Sequence, residues 1–312
     1  MLRPNAIFKL GSMKTINMPI LIHAIDLAWA STKSEVETHP VEYGLILGSS
    51  NLIKSAIPHS GLHGPMLEFL KCDVSDILRS YIGLEGWKTA LIVDRENERI
   101  EGVLDLGTLN IEDPYEFITG VTSSISVVSR RAYSVRVYNN GKFQIQYIFN
   151  RKSGVIEERI PEDFLTLWTG REVNKNIARK MMDACLRISE MRKGALFVIA
   201  TTSDMHRLSI ISHAEPAALK TIYELSASEI INYATRDGAT WIDKQGLLRG
   251  YEIKFEGPGG RLAIAKSICA ENERITTLVV SQDGEINLVY KSNARRLASQ
   301  ITSDNLFFST QT

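Results

Sequence analysis

The stretch AYSVRVYNNGKFQIQYIF at residues 132–149 constrains the fold of this chain more than any other feature. Apolar and polar residues alternate on both sides of Asn139-Asn140-Gly141, which is the pattern of two half-buried β-strands. Asn-Gly favours the positive φ angles of a tight turn, so we expect the two strands to pair as a hairpin. The hairpin indicates a structured domain, and nothing in it points to chemistry.

The rest of the first half predicts further helices and strands. An amphipathic helix at about 18–32 precedes the short apolar run YGLILGS at 43–49, which we interpret as a strand. A second helical pattern runs from Pro65 to about Leu84, with apolar residues at three- and four-residue steps. Residues 89–109 predict two strands around a polar turn. Together these elements indicate a mixed α/β domain.

The second half has a more regular order of elements. It predicts a helix, a buried strand, a helix, a strand pair, a helix and a hairpin, which is typical of a mixed sheet with helices on its faces. The predicted elements lie at 174–192, 195–201, 216–235, 238–255, 260–272 and 276–290. Gly194 stands where a helix C-terminus favours glycine, so we expect it to end the first of these helices.

A length of 312 residues fits two domains better than one. The polar stretch at 151–173 is the best candidate boundary between them. We therefore predict a separate mixed α/β N-terminal domain at 1–150, a connector at 151–173, and an α/β (α+β) domain at 174–312.

Composition excludes several classes of function. Lysine plus arginine and aspartate plus glutamate both number 36, and this neutral balance disfavours a general nucleic-acid-binding surface. Cys72, Cys185 and Cys269 are far apart and lack metal-ligand spacing, so we expect free thiols in a reducing compartment. The only segment that resembles an export signal contains His23 and Asp26 and is too short to span a bilayer. We expect a cytoplasmic protein without a membrane partner.

Two loops in the second half carry residues suited to chemistry. Asp237-Gly238-Ala239 stands between a helix and a strand, where glycine allows close approach of a ligand and the carboxylate can bind a divalent cation or accept a proton. The Gly-rich loop at 257–267 opens a helix beside Arg261, and free N–H groups at a helix start can hold phosphate. Each loop also has an ordinary interpretation, as an Asp-Gly helix stop and as a structural loop with a solvated arginine.

Taken together and in this order, the loops resemble the diadenylate cyclase (DAC) domain, in particular the N-terminal domain of the DNA-integrity scanning protein. RKGALFVIA at 192–200 is similar to the first core strand of that family. ELSASEIINYATRDGATWID at 224–243 resembles its serine-containing helix followed by Asp-Gly-Ala, with Ser226 ahead of Asp237. The segment that begins GGRLAIAKS at 259–267 resembles its Gly-x-Arg-His-Arg helix and closing hairpin.

The resemblance covers about residues 175–292 and implies an adenine-nucleotide site. In the family the motif aspartate, matched by Asp237, helps bind Mg²⁺ or Mn²⁺ and handles the attacking 3′-hydroxyl, while Arg-His-Arg holds the ATP phosphates. Arg261 matches the first arginine, but Leu262 and Ala263 stand at the histidine and second arginine. Losing one charge-assisted donor at such a place costs on the order of 10²–10³ in rate. The departure favours binding over turnover.

The resemblance implies a nucleotide-binding set, with Asp237 as metal ligand and, if the chain is active, as catalytic group. The set comprises Ser226, Asp237, Gly238, Ala239, Gly259, Gly260 and Arg261. We expect a DAC-like sensor of an adenine nucleotide or cyclic di-AMP that signals to an effector protein. Two alternatives stay open: an active diadenylate cyclase that makes cyclic di-AMP from two ATP, and a ligand-free DAC-shaped scaffold for protein association. Because such cyclases work as two facing sites, activity implies a homo-oligomer.

Overall fold

The computed structural model of the chain describes most of both halves. The described residues are 18–31, 35–36, 39–40, 44–56, 61–62, 68–72, 76–77, 89–107, 109, 111, 113–130, 134–150, 155–159, 161, 165, 168, 174–216, 219–256, 259–291, 293–296 and 299–301. These residues divide into two compact units.

The first unit is built on a nine-stranded mixed sheet, whose order is β18-β10-β9-β8-β7-β3-β5-β6-β4. Its helices and strands, with the separate pair β1-β2, are α1 (Met18–Ser31), β1 (Glu35–Val36), β2 (His39–Pro40), β3 (Gly44–Gly48), α2 (Ser50–Ala56), β4 (Gly61–Leu62), β5 (Thr89–Asp94), β6 (Arg99–Asp105), α3 (Pro114–Thr122), β7 (Ile125–Arg130), β8 (Ser134–Asn139), β9 (Lys142–Asn150), β10 (Val155–Arg159) and β18 (Ser299–Ile301).

The predicted hairpin is confirmed as β8 and β9. Asn140 and Gly141 form its turn with φ of 50° and 66°, and the strands pair antiparallel from Asn139 opposite Lys142. The helix predicted at 18–32, the strand predicted at 43–49 and the strand pair at 89–109 are confirmed as α1, β3 and β5–β6.

The helix predicted from Pro65 is wrong over the described residues Glu68–Cys72. Glu68 instead forms an isolated β-bridge with Arg99, and its carboxylate lies 2.6 Å from Lys71 Nζ and 3.6 Å from an Arg99 nitrogen. These contacts hold the segment in a bridge and turn against β6. Residues 76–77 are helical, as predicted, and the remainder of the predicted helix lies outside the described residues.

The second unit is built on a seven-stranded sheet of order β12-β14-β13-β11-β15-β16-β17, in which only β11 and β13 pair in parallel. Its helices and strands are α4 (Lys175–Glu190), β11 (Ala195–Ile199), α5 (Thr202–Met205), β12 (Ile210–Ala214), α6 (Ala227–Ala234), β13 (Ala239–Ile242), β14 (Leu248–Phe255), α7 (Arg261–Glu271), β15 (Thr276–Val280), β16 (Ile286–Tyr290) and β17 (Asn293–Arg296).

Helices α6 and α7 cover opposite faces of this sheet. Ala239 and Trp241 pack in one cluster with Ala265 of α7. Thr240, which alternation turns to the other face, donates its hydroxyl to the backbone carbonyl of Tyr233 in α6 at 3.2 Å. Every residue of β11 is buried, as its continuous apolar run predicts for a strand covered on both sides.

Two local predictions for the second unit need correction. Helix α4 ends at Glu190, and the left-handed residue after it is Arg192, with φ of 53°, rather than Gly194. The Arg192 side chain donates to the carbonyl of Asp283, and this contact accompanies the unusual backbone angle. Among the described residues of the helix predicted over 216–235, which exclude 217–218, only α6 is helical, because an N-terminal cap begins it at residue 227.

The mixed α/β class with helices flanking the sheets is confirmed by both units. Strand β10 falls within the predicted connector, and the division into domains at 1–150 and 174–312 stays a prediction. Within the described part of the chain, no helix has the length and apolar character needed to cross a membrane.

Candidate functional site

The Asp237-Gly238-Ala239 turn enters strand β13 through close backbone packing. Gly238 has φ of 112°, and a Cβ at this position would lie 2.7–2.9 Å from backbone atoms of Glu252 and Ile253 in β14. Only glycine fits both this angle and this approach. Ala239 is 1% exposed and pairs with Ile253, so it belongs to the core. The second and third residues of the turn therefore have structural reasons to be small.

The carboxylate of Asp237 is paired with a lysine from the neighbouring strand. Its Oδ2 lies 3.1 Å from Nζ of Lys254, and the two side chains are 86% and 53% exposed. Lys254 stands between Ile253 and Phe255, which both point into the cluster that contains α7. Alternation along β14 therefore turns Lys254, and with it the ion pair, away from the α7 face.

A second ion pair lies beside the first and was missed at the level of sequence. Arg236 Nη1 is 3.1 Å from Glu252 Oε1, and its guanidinium lies 4.9 Å from the ring centre of Tyr251 and 5.8 Å from that of Tyr233. The two tyrosine rings are 5.0 Å apart. The signal was the order Arg-Asp at 236–237 against Glu-x-Lys on the predicted strand, since opposite charges on neighbouring strands attract.

Ser226 has a complete structural role as the N-cap of α6. Its hydroxyl accepts a hydrogen bond from the Glu229 backbone N–H at 3.2 Å and donates to the Glu229 carboxylate at 3.0 Å. The Ser226 backbone N–H donates to the same carboxylate at 2.9 Å, which completes a capping box. The hydrogen bond from that N–H is the main reason that the pKa of Glu229 is lowered. The sequence Ser-Ala-Ser-Glu carries this signature.

Arg261 is the first residue of α7. Gly260 before it is the N-cap and provides no side-chain hydrogen bond to the helix start. The Arg261 guanidinium lies so close to Gly194 that a Cβ built on Gly194 would collide with it. Among the described residues, Arg261 has neither an ion-pair partner nor a hydrogen-bonded side chain. Gly259 has φ of 122°, and the preceding residues 257–258 of the loop lie outside the described residues.

The two predicted loops lie at one end of the second unit's sheet. Strands β11 and β13 run parallel with Phe197 beside Thr240. Gly194, which contacts Arg261, directly precedes β11, while Asp237 comes two residues before β13. The N-terminal ends of two neighbouring parallel strands lie at the same end of the sheet. Arg261 approaches that end with α7, whereas the Asp237 carboxylate turns to Lys254 on the opposite face.

The residues around Asp237 do not fit a divalent metal held by the protein. Mg²⁺ and Mn²⁺ prefer several oxygen ligands, most often carboxylates. Here one carboxylate, of Asp237, contacts the ammonium of Lys254, and the neighbouring one, of Glu252, contacts Arg236. Across the described residues, no group of three or more His, Cys, Asp or Glu side chains is arranged to hold a metal ion.

Comparison with known proteins finds 20 matching chains among the solved structures, and the following two are among them. A hypothetical membrane spanning protein from Bacillus cereus matches with 17% identity and a TM-score of 0.32, over 38% of this chain and 62% of that protein. A double mutant of DacA from Staphylococcus aureus, a diadenylate cyclase, matches with 19% identity and a TM-score of 0.30, over 40% of this chain and 88% of the chain in that structure. This chain thus spans less than two thirds of the first of these proteins. No family model matches the chain, and no curated protein does.

Proposed function

We propose that the second unit binds an adenine nucleotide or a cyclic dinucleotide and does not turn it over. The observation that carries this proposal is that Asp237 and Arg261 lie at the same end of the sheet, at the entry of β13 and the start of α7, so that a ligand at this end can reach both although their side chains lie on opposite faces. The DAC resemblance rests on the same two motifs, Asp-Gly-Ala and the Gly-rich segment with Arg261, in this order along the sequence.

Charge around Arg261 supports binding. Its guanidinium has no ion-pair partner among the described residues, and the helix start beside it lacks a side-chain cap. Backbone N–H groups at a helix start and a nearby arginine both favour an anionic group. A phosphate is the anion that the resemblance implies.

The neighbours of Arg261 argue against catalysis. Leu262 and Ala263 provide no positive charge, and phosphoryl transfer depends on positive charge placed against the developing negative charge of the transition state. We therefore propose a sensor that signals its ligand state to an effector protein. It would act in the cytoplasm, where ATP is present.

The test is to incubate the full chain with ATP and Mn²⁺ and to separate bound nucleotide and cyclic dinucleotide product by chromatography, with calorimetry for ATP and cyclic di-AMP. The proposal expects binding without product, and Arg261→Gln to weaken binding. Formation of cyclic di-AMP would instead identify an active cyclase, in which Asp237 acts in catalysis and two copies must face each other.

A second candidate function is a ligand-free scaffold for protein association. The observation in its favour is that Ser226 and Asp237 are both bonded within the unit, to Glu229 and Lys254. Absence of binding to any adenine nucleotide or cyclic dinucleotide would favour this function over the sensor.

A further inference from the structure

We propose that Lys254 supplies the positive charge that Asp237 would otherwise take from a divalent metal, so that ligand binding at this end of the sheet is independent of Mg²⁺ and Mn²⁺. The proposal rests on the proposed function for its ligand and goes further by assigning a role to Lys254.

Backbone packing places the lysine. The close approach of Gly238 to β14 and the pairing of Ala239 with Ile253 fix where the Asp237 Cα stands relative to the residue after Ile253. That residue is Lys254, and its ammonium reaches the carboxylate at 3.1 Å. The ion pair is therefore a consequence of the strand register and the glycine, and not only of two flexible side chains on a surface.

Charge makes the two cations alternatives. A divalent ion on Oδ2 of Asp237 would stand a few ångströms from the Lys254 ammonium, where like charges repel. Glu252, the nearest carboxylate along β14, is held by Arg236 and is turned to a different cation. With Lys254 in place, the turn offers a phosphate a neutral ion pair in place of a bare negative charge.

The main test compares affinity with and without metal. Calorimetry measures cyclic di-AMP and ATP binding to the full chain in excess EDTA and in Mn²⁺. The affinity of the unchanged protein should agree within about twofold between the two conditions, because Lys254 already supplies the positive charge. On the same scale, a tenfold difference in affinity corresponds to about 1.4 kcal/mol. A gain larger than about twofold on adding Mn²⁺ overturns the proposal.

A variant separates the lysine from other causes. In EDTA, Lys254→Met should weaken binding about fivefold, because one charge at about 4 Å in water is worth about 1 kcal/mol, and Mn²⁺ should restore the affinity. Lys291→Met is the matched control, because Lys291 pairs with Glu273 at 3.0 Å on a comparably exposed surface. Unchanged binding of Lys254→Met in EDTA would also overturn the proposal.

A ligand-free measurement keeps the two proposals distinguishable. Mn²⁺ broadens the NMR signals of nearby amides, and the Gly238 amide lies next to Asp237. In Lys254→Met, broadening should begin at a Mn²⁺ concentration at least about fivefold lower than in the unchanged protein. If no nucleotide binds at all, the proposed function fails, while this titration still decides the role of Lys254: equal broadening in both proteins contradicts it.

Discussion

Asp237 and Lys254 form an ion pair, at 3.1 Å between Oδ2 and Nζ, that joins the entry of β13 to the neighbouring strand β14. Beside it, Arg236 and Glu252 form a second ion pair between the same two segments at 3.1 Å. The order of charges is Arg236-Asp237 on one segment and Glu252-x-Lys254 on the other, so each of these four charged residues has one partner of opposite sign. The turn that suggested a ligand site thus also contributes two ion pairs between neighbouring strands.

Removing the Asp237–Lys254 pair should hardly affect folding. Both side chains are more than half exposed, and exposed ion pairs contribute between zero and about 1 kcal/mol. We expect Asp237→Asn and Lys254→Met each to change the free energy of unfolding in urea by less than about 1 kcal/mol. A larger loss in either variant would mean that the pair is structural, and its ligand effects could then not be read separately.

Substitution by alanine should cost far more stability at Gly238 than at Gly260. Gly238→Ala introduces a Cβ against the backbone of Glu252 and Ile253 at a φ of 112°, so we expect a loss of about 2 kcal/mol or more in the free energy of unfolding. Gly260→Ala is the control, because a Cβ there meets nothing within 4 Å. Its cost should stay within about 1 kcal/mol. Equal stability of the two variants would contradict the packing explanation for the motif glycine.

The uncapped start of α7 allows charge to be tested apart from stability. Gly260→Asp and Gly260→Asn both place a good N-cap before Arg261, and each should leave stability unchanged or raise it by a few tenths of a kcal/mol. Only the aspartate adds negative charge at the proposed phosphate position. Calorimetry should therefore show nucleotide binding lost in Gly260→Asp and kept in Gly260→Asn. Equal binding by both variants would place the phosphate elsewhere.

Ser226 should prove to be a helix cap. Ser226→Ala removes the capping box with Glu229, and we expect it to lower the free energy of unfolding by about 1 kcal/mol. Ser228→Ala, at an exposed position inside α6, should not lower it. Nucleotide affinity should be unaffected in both. A loss of affinity specific to Ser226→Ala would restore the role in nucleotide binding that the DAC resemblance implies for this residue.

Acid should weaken one buried contact of the second unit. Although burial raises the pKa of Asp204, hydrogen bonds from Thr201 and Asn272 outweigh it and hold that pKa below its usual value of 3.8. A carboxylate with a lowered pKa contributes stability above its unfolded pKa and loses it as the pH falls through the folded one. Asp204→Asn should therefore be less stable than the unchanged protein at pH about 7, and the difference should shrink below pH about 3.8. Urea unfolding across this range measures it, and a constant difference would exclude the ionised carboxylate as the cause.

Much of the fold could be predicted because its signals are local. Asn140-Gly141 favours a turn through its own backbone preferences, and the apolar run that forms β11 at Ala195–Ile199 favours burial. The failures are non-local. The segment at 68–72 has a helical pattern, but pairing of Glu68 with Arg99, thirty-one residues later, decides its conformation.

The candidate site was predictable in its parts and not in its arrangement. The positions of the turn at Asp237 and of the helix that begins at Arg261 follow from local pattern. The pairing of Asp237 with Lys254 depends on a register shift in β14 next to Glu252, whose φ is 54°. The sequence has no glycine or other signal that marks a β-bulge at Glu252. The partner of the Asp237 carboxylate could therefore not be assigned from the sequence.

The contact of Arg261 with Gly194 has a consequence for how this chain can change over evolutionary time. A methyl group at position 194 would occupy the volume that the guanidinium fills. The two residues are 67 positions apart in the sequence, yet a side chain at position 194 requires the Arg261 guanidinium to move away or to be replaced. In homologous chains we expect a residue larger than glycine at position 194 to occur together with a residue shorter than arginine at position 261, so the two positions should covary.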